Sequence, residues 1–124
     1  MGMNYYLEVE TCTKCHSKKR WHVGKSSNGW KFHFHGLVSA DSPTGQALRS
    51  YSAWKKAFRS VKRATLMDEE GNEIGLAAFN AKVKSKQLDE YMSPVEYAYR
   101  RGYTDHCAYW LDPEGYEFSS GDFS

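Results

Sequence analysis

Long apolar runs, prolines and net charge are all scarce in this chain. Nowhere do hydrophobic residues continue for the roughly 18 positions that a membrane-spanning helix needs, which excludes a helical membrane protein. The opening stretch, Met1–Glu10, has no basic segment followed by an apolar one, so it does not read as a secretory signal. Tyr6 stands where a myristoylation motif beginning at Gly2 wants Ser or Thr. Net charge is only +2 and there are three prolines, whereas aromatic residues make up 15% of the chain. A disordered segment would show fewer aromatics and a larger net charge. These absences point to a folded protein of the cytosol. Thiols stay reduced there, and a cysteine pair reads as metal ligands or redox groups rather than as a disulfide.

What is present fits one domain spanning all 124 residues, of a size that buries a modest core. Asn4–Glu10 has strand character. Trp21–Lys25 and Trp30–Gly36 read as two further strands joined by Ser26-Ser27-Asn28-Gly29, because Asn-Gly tolerates the positive φ angles of a tight hairpin. Residues 39–46 form a loop. Ser50–Arg63 reads as a helix with Trp54, Ala57, Phe58 and Val61 along one apolar stripe. Thr65–Ile74 reads as short strands about a Glu70-Gly71-Asn72 turn, and Leu76–Tyr91 as a second helix with Leu76, Phe79 and Val83 inward. Ser93-Pro94-Val95-Glu96 has the makings of a helix start, and Gly102 of its end. Asp112-Pro113-Glu114-Gly115 reads as a turn between Tyr109–Leu111 and Tyr116–Phe118. The expectation is an α+β fold of short antiparallel β-hairpins with two or three helices. Residues 1–36 would form a zinc-bound hairpin region, and residues 37–124 the remainder of the same domain.

The zinc expectation comes from Cys12 and Cys15. Two intervening residues let a tight turn aim both sulfurs at one ion, and zinc favours thiolate and imidazole in a tetrahedron. The other two ligands would come from His16, His22, His33, His35 or the distant pair His106 and Cys107. With Ser26–Gly29 as the hairpin loop, Lys25 faces Trp30 and His22 faces His33. Alternation along the strands then puts Trp21, Val23, Lys25, Trp30, Phe32 and Phe34 on one face, and Arg20, His22, Lys31, His33 and His35 on the other. His22 can meet either His33, directly opposite, or His35, on the diagonal. A redox disulfide is the weaker reading, because such pairs usually open a helix after a strand, and this pair sits in a polar loop leading into a strand.

The run Cys12-Thr13-Lys14-Cys15, then His22-Val23-Gly24-Lys25-Ser26-Ser27, then Gly29-Trp30-Lys31-Phe32 and His35 resembles a widespread family of small phage-encoded proteins. The tail Asp112-Pro113-Glu114-Gly115-Tyr116-Glu117-Phe118-Ser119 is similar to that family's ending. The resemblance covers the first 36 residues well, the tail moderately and the middle poorly. It implies that the second histidine is His35, giving Cys12, Cys15, His22 and His35 as a structural zinc set with His33 as an extra imidazole. It also implies a protein acting inside a bacterial host, and it implies no activity.

Other chemistry is weaker. Gly24-Lys25-Ser26 looks like the end of a phosphate-binding loop, but Lys19 stands where that motif needs its first glycine, and a hairpin follows instead of a helix. A metal-dependent nuclease would need an open metal position and a base such as His33, His106 or Asp105, whereas four protein ligands close a zinc. Charge is uneven: residues 1–67 carry twelve Lys and Arg against three Asp and Glu, and residues 68–124 carry five against twelve. Lys18, Lys19, Arg20, Lys25 and Lys31 surround the predicted hairpin, and Lys55, Lys56, Arg59, Lys62 and Arg63 line the following helix, which would suit phosphates. Nine tyrosines and four tryptophans suit protein interfaces. The leading expectation is therefore a non-catalytic, zinc-stabilised phage accessory protein that binds a host protein, in host takeover or against host defence, in the host cytoplasm. Nucleic-acid binding by the basic half is the alternative, and a nuclease the least favoured.

Overall fold

A computed structural model of the chain describes residues 2–27, 31–87 and 109–120. Alternating polar and apolar residues near the N-terminus build its centre. Strand β1 (Gly2–Glu10) and strand β2 (Lys18–Ser27) form a long antiparallel hairpin, with Glu10 opposite Lys18 and Gly2 opposite Ser27. β3 (His33–His35) follows, then a 3-10 turn (Ser39–Asp41), helix α1 (Tyr51–Ser60), β4 (Ala64–Asp68), helix α2 (Leu76–Gln87), β5 (Tyr109–Leu111) and β6 (Glu117–Ser119). The strands make one sheet in the order β4-β1-β2-β3-β6-β5. β3 and β6 run parallel, and the other neighbouring pairs run antiparallel. The α+β class is as expected, but the hairpins are joined into one mixed sheet through the β3–β6 pairing.

The helices cover one face of that sheet. Tyr5 and Leu7 of β1, Val23, Phe32, Phe34, Leu66 and Phe118 bury against Tyr51, Trp54 and Ala57 of α1 and Phe79 and Val83 of α2. Rings dominate: Phe34 stacks on Phe118 at 5.0 Å between centroids and tilts against Tyr51 at 4.8 Å. Tyr5 and Phe32 meet the Phe79 ring edge-on at 5.3 and 5.5 Å. Such pairs add roughly 0.5–1.5 kcal/mol each beyond the area they bury. Ser50 caps α1 by accepting the Ala53 amide at 3.1 Å. The helix ends at Ser60, short of the predicted Arg63, and Arg63 takes a left-handed φ of 56°. In α2, Phe79 and Val83 point inward as expected, but Leu76 is 42% exposed at the first turn. The predicted helix beginning at Ser93 lies outside the described residues.

Two local features set the register. A bulge places Tyr5 opposite Gly24 and Tyr6 opposite His22, so Val23 has no counterpart on β1. Lys25 then pairs with His33 and Gly24 with Phe34, three positions away from the pairing that an Asn28-Gly29 turn predicts. Lys25 accordingly shares the face of His33, not the apolar face. Gly24 shows why this register holds. A Cβ there would lie 2.5 Å from the His33 carbonyl oxygen and 2.6 Å from the Phe32 ring. The missing side chain lets Phe32 and Phe34 close over the strand.

At the opposite edge, Asp112 organises the β5–β6 turn predicted from Asp-Pro-Glu-Gly. Its carboxylate accepts the amides of Glu114 and Tyr116, and its backbone carbonyl accepts the Gly115 amide, with Gly115 at φ 88°. The same carboxylate accepts the Tyr51 amide at 2.8 Å, which ties this turn to the N-terminus of α1.

Candidate metal centre

The cysteines sit at the tip of the β1–β2 hairpin. The last rung is closed by the Thr11 amide donating to the Ser17 carbonyl at 2.7 Å. Within the turn, the Cys15 amide donates to Cys12 Sγ at 3.5 Å. His16 follows at φ 57°, a conformation uncommon for a residue with a side chain. This left-handed residue reverses the chain directly after the second cysteine, and the amide-to-sulfur bond holds the two thiols together. Cys15 is exposed and Cys12 half-buried. The Ser17 hydroxyl lies 2.9 Å from Cys15 Sγ. That hydrogen bond first, and then the one from Cys12, lower the Cys15 thiol to about 7. The His16 imidazole turns to Glu10, with Nδ1 3.6 Å from Oε1. Two adjacent thiols, one of them readily ionised, are a chemically sound half of a zinc site.

The imidazoles lie elsewhere, on the sheet face opposite α1 and α2. Alternation placed His22, His33 and His35 on one face, and they do share it, together with Asn4, Glu117 and Ser119. His22 Nε2 is 2.9 Å from Asn4 Oδ1. His35 has the His22 and Ser120 carbonyl oxygens 3.3 Å from its two ring nitrogens. The His22 and His35 ring centres are 5.5 Å apart. His33 Nε2 is 2.8 Å from the Ser119 hydroxyl, and its register partner on β6 is Glu117, 2% exposed. Burial, followed by the proximity of His35 and His22, lowers His33 to about 4. It is therefore a neutral imidazole at ordinary pH.

The four residues expected to share one ion thus form two pairs. On β2, His22 lies four positions beyond the end of the turn at Lys18, roughly 13 Å of extended chain. Zinc bonds are only about 2.0–2.3 Å long, so in this arrangement no ion touches both pairs. Among the described residues, no group of three or more His, Cys, Asp and Glu is placed to hold a metal. The thiol pair fits half of a zinc site, and the structure does not bring His22 and His35 to it. His106 and Cys107 lie outside the described residues, as does Asp105. Sequence reasoning passed over Ser17, the hydroxyl partner of Cys15. Its signal was its position two residues beyond the second cysteine, where the hairpin closes. Asn4 and Glu117 were also passed over, and nothing local marks them as buried.

The expected cationic surface is dispersed. Lys18 and Arg20 both pair with Glu8, at 3.3 and 2.9 Å, and chiefly the Arg20 hydrogen bond holds the Glu8 carboxyl below its usual range. Lys19 lies over the Trp21 ring on the other sheet face. Lys31 donates to the Gln87 carbonyl at 2.7 Å, and Lys25 sits within the sheet opposite Asn4 and His33. On α1, Lys55 covers Tyr51, and Lys56 and Arg59 line an open cleft of about 700 Å³ with Thr44, Gln46, Ser50 and Ser52. Lys62 and Arg63 follow the helix and are exposed. The tryptophans are largely taken up by packing. Trp54 is fully buried and donates to the His35 carbonyl at 2.9 Å. Trp21 donates to the Asp41 carbonyl, and Trp110 donates to the Arg49 carbonyl beneath the Arg49 guanidinium. Trp30 lies outside the described residues. No helix among the described residues is long and apolar enough to cross a membrane.

No protein-family model matches this chain, and neither a curated protein nor a solved structure matches it.

Proposed function

We propose that this chain is a small zinc-binding accessory protein of a phage, acting in the cytoplasm of the bacterial host by occupying a host protein's surface rather than by catalysis. The zinc part of the reading rests on Cys12 and Cys15, whose turn presents two hydrogen-bonded thiols to solvent. One observation carries the choice of a protein partner. The basic groups of the N-terminal half are divided between the two sheet faces and α1, and two of them are spent on Glu8. A phosphate backbone is gripped by cations along one continuous track, whereas a protein partner requires no such track. Tagged, zinc-loaded protein is expected to recover one bacterial protein at near-stoichiometric yield, and untagged protein to displace it. Tight binding to random-sequence DNA that weakens steeply with salt would overturn this choice of partner.

The cleft beside α1 favours nucleic acid as the second reading. Lys56 and Arg59 face it together with the hydroxyls of Thr44, Ser52 and Ser60, a lining suited to phosphate oxygens. On that reading, DNA binding falls in the Lys56→Glu and Arg59→Glu variants and is unchanged in Lys18→Glu. A nuclease finds less support, because His33 is buried against Ser119.

A further inference from the structure

The thiol pair is half of a tetrahedral site, and the question is what completes it. We propose that a second copy of this chain does, so that Cys12 and Cys15 of two hairpin tips hold one zinc ion between them and the metal joins the chains into a dimer. This deepens the zinc-binding reading above and rests on it.

The thiols lie at the far end of the two longest strands, and residues 13–20 around them are exposed. The imidazoles of their own chain begin four residues down β2, engaged with Asn4 and backbone carbonyls. Bringing His22 and His35 to the tip would break those bonds and the β1–β2 pairing at Tyr6. His16 is nearer, but its ring is directed at Glu10. A second tip asks for none of this. Two identical turns related by a twofold axis each supply two sulfurs, which gives the four-thiolate tetrahedron of closed structural zinc sites.

Four thiolates around Zn²⁺ carry a net charge of −2, whereas two thiolates and two neutral imidazoles carry none. Lys14 stands between the two cysteines and is exposed, whereas Lys18 beyond the turn is paired with Glu8. Two copies of Lys14 beside the ion offset the excess charge. Without metal, the two copies of Lys14 repel one another across the junction, so the dimer depends on zinc. The hydrogen bond that the Cys15 amide donates to Cys12 Sγ serves the same end, since hydrogen bonds to a metal-bound sulfur hold its geometry and temper its charge. On assembly the four thiols release their protons to solvent, one zinc is taken up, and nothing is oxidised.

The test uses the full chain, size-exclusion chromatography with light scattering, and zinc content measured on the same fractions. The expected result is a dimer with one zinc per two chains, reverting to monomer on chelation and reforming when zinc is restored. Cys12→Ser and Cys15→Ser are expected to stay monomeric and metal-free, with a circular dichroism spectrum like that of the chelated parent. Lys14→Glu is expected to raise the dimer dissociation constant several-fold, and His22→Gln to leave dimer and zinc content unchanged. A monomer with one zinc per chain overturns the bridge and leaves zinc binding intact. In that case loss of the metal in His22→Gln would assign the site to one chain's thiols and imidazoles. Protein that takes up no zinc overturns both the bridge and the zinc-binding reading.

Discussion

At the hairpin tip, Cys15 is exposed, and a single hydroxyl and a neighbouring thiol set its acidity. On the sheet, His33 is 8% exposed, bonded to Ser119 and register-paired with Glu117. Both regions carry residues that favour zinc, and their surroundings push them in opposite directions. Solvent and hydrogen bonds make the thiol easy to ionise, which prepares it for a metal. Burial keeps the imidazole neutral and ties it to the fold. Residue type therefore marks both regions alike, while environment separates an exposed, readily ionised thiol from imidazoles bound into the sheet.

The largest expected difference between the regions is in stability. Phe34→Ala removes a fully buried ring that touches Phe118, Tyr51, Phe32 and Tyr116. It should cost roughly 3–5 kcal/mol, read by denaturant unfolding. Cys12→Ser in zinc-free protein should cost less than about 1 kcal/mol, because the tip contributes little to the core. A loss of similar size in both variants would erase the distinction.

Acid comes next. His33 has its proton affinity depressed in the folded state, so the unfolded chain binds the proton more readily. Its contribution is present above the unfolded value of about 6.5 and is lost as pH falls from there toward about 4. That range is worth roughly 3 kcal/mol. Unfolding free energy should therefore fall across that window, and His33→Gln should flatten the fall. An unchanged slope in the variant would place the acid sensitivity elsewhere.

The smallest effect belongs to the tip. In zinc-free protein, alkylation of Cys15 should accelerate as pH rises, with a midpoint near 7. Ser17→Ala should move that midpoint upward, since the hydroxyl bond is the main cause of the lowering. A midpoint unaffected by Ser17→Ala would mean that another group ionises the thiol.

Much of this was legible in the chain, for identifiable reasons. Features fixed by near neighbours read well. Examples are the Ser50 cap of α1, the Asp112–Gly115 turn, and the alternation that puts Phe32 and Phe34 on one face with His33 and His35 on the other. The β2–β3 register did not, because it is set by a bulge at Val23 against β1 and by ring packing over Gly24. Both depend on partners distant in sequence. Nor did the parallel pairing of His33 with Glu117, which buries a carboxylate that local pattern marks as exposed. The same missing information explains the candidate site. The Cys-x-x-Cys spacing located the thiols, but the length of β2 between Lys18 and His22 decides whether the imidazoles reach them, and spacing alone does not state that those residues are extended.

X-ray absorption at the zinc edge of the zinc-loaded protein distinguishes a bridge between two hairpin tips from a site within one chain. Sulfur and nitrogen scatter differently and lie at different distances, about 2.3 Å and about 2.0–2.1 Å. A bridge between two tips gives a single shell of four sulfurs. A mixed shell of two sulfurs and two imidazole nitrogens would contradict it, and would return His22 and His35 to the metal.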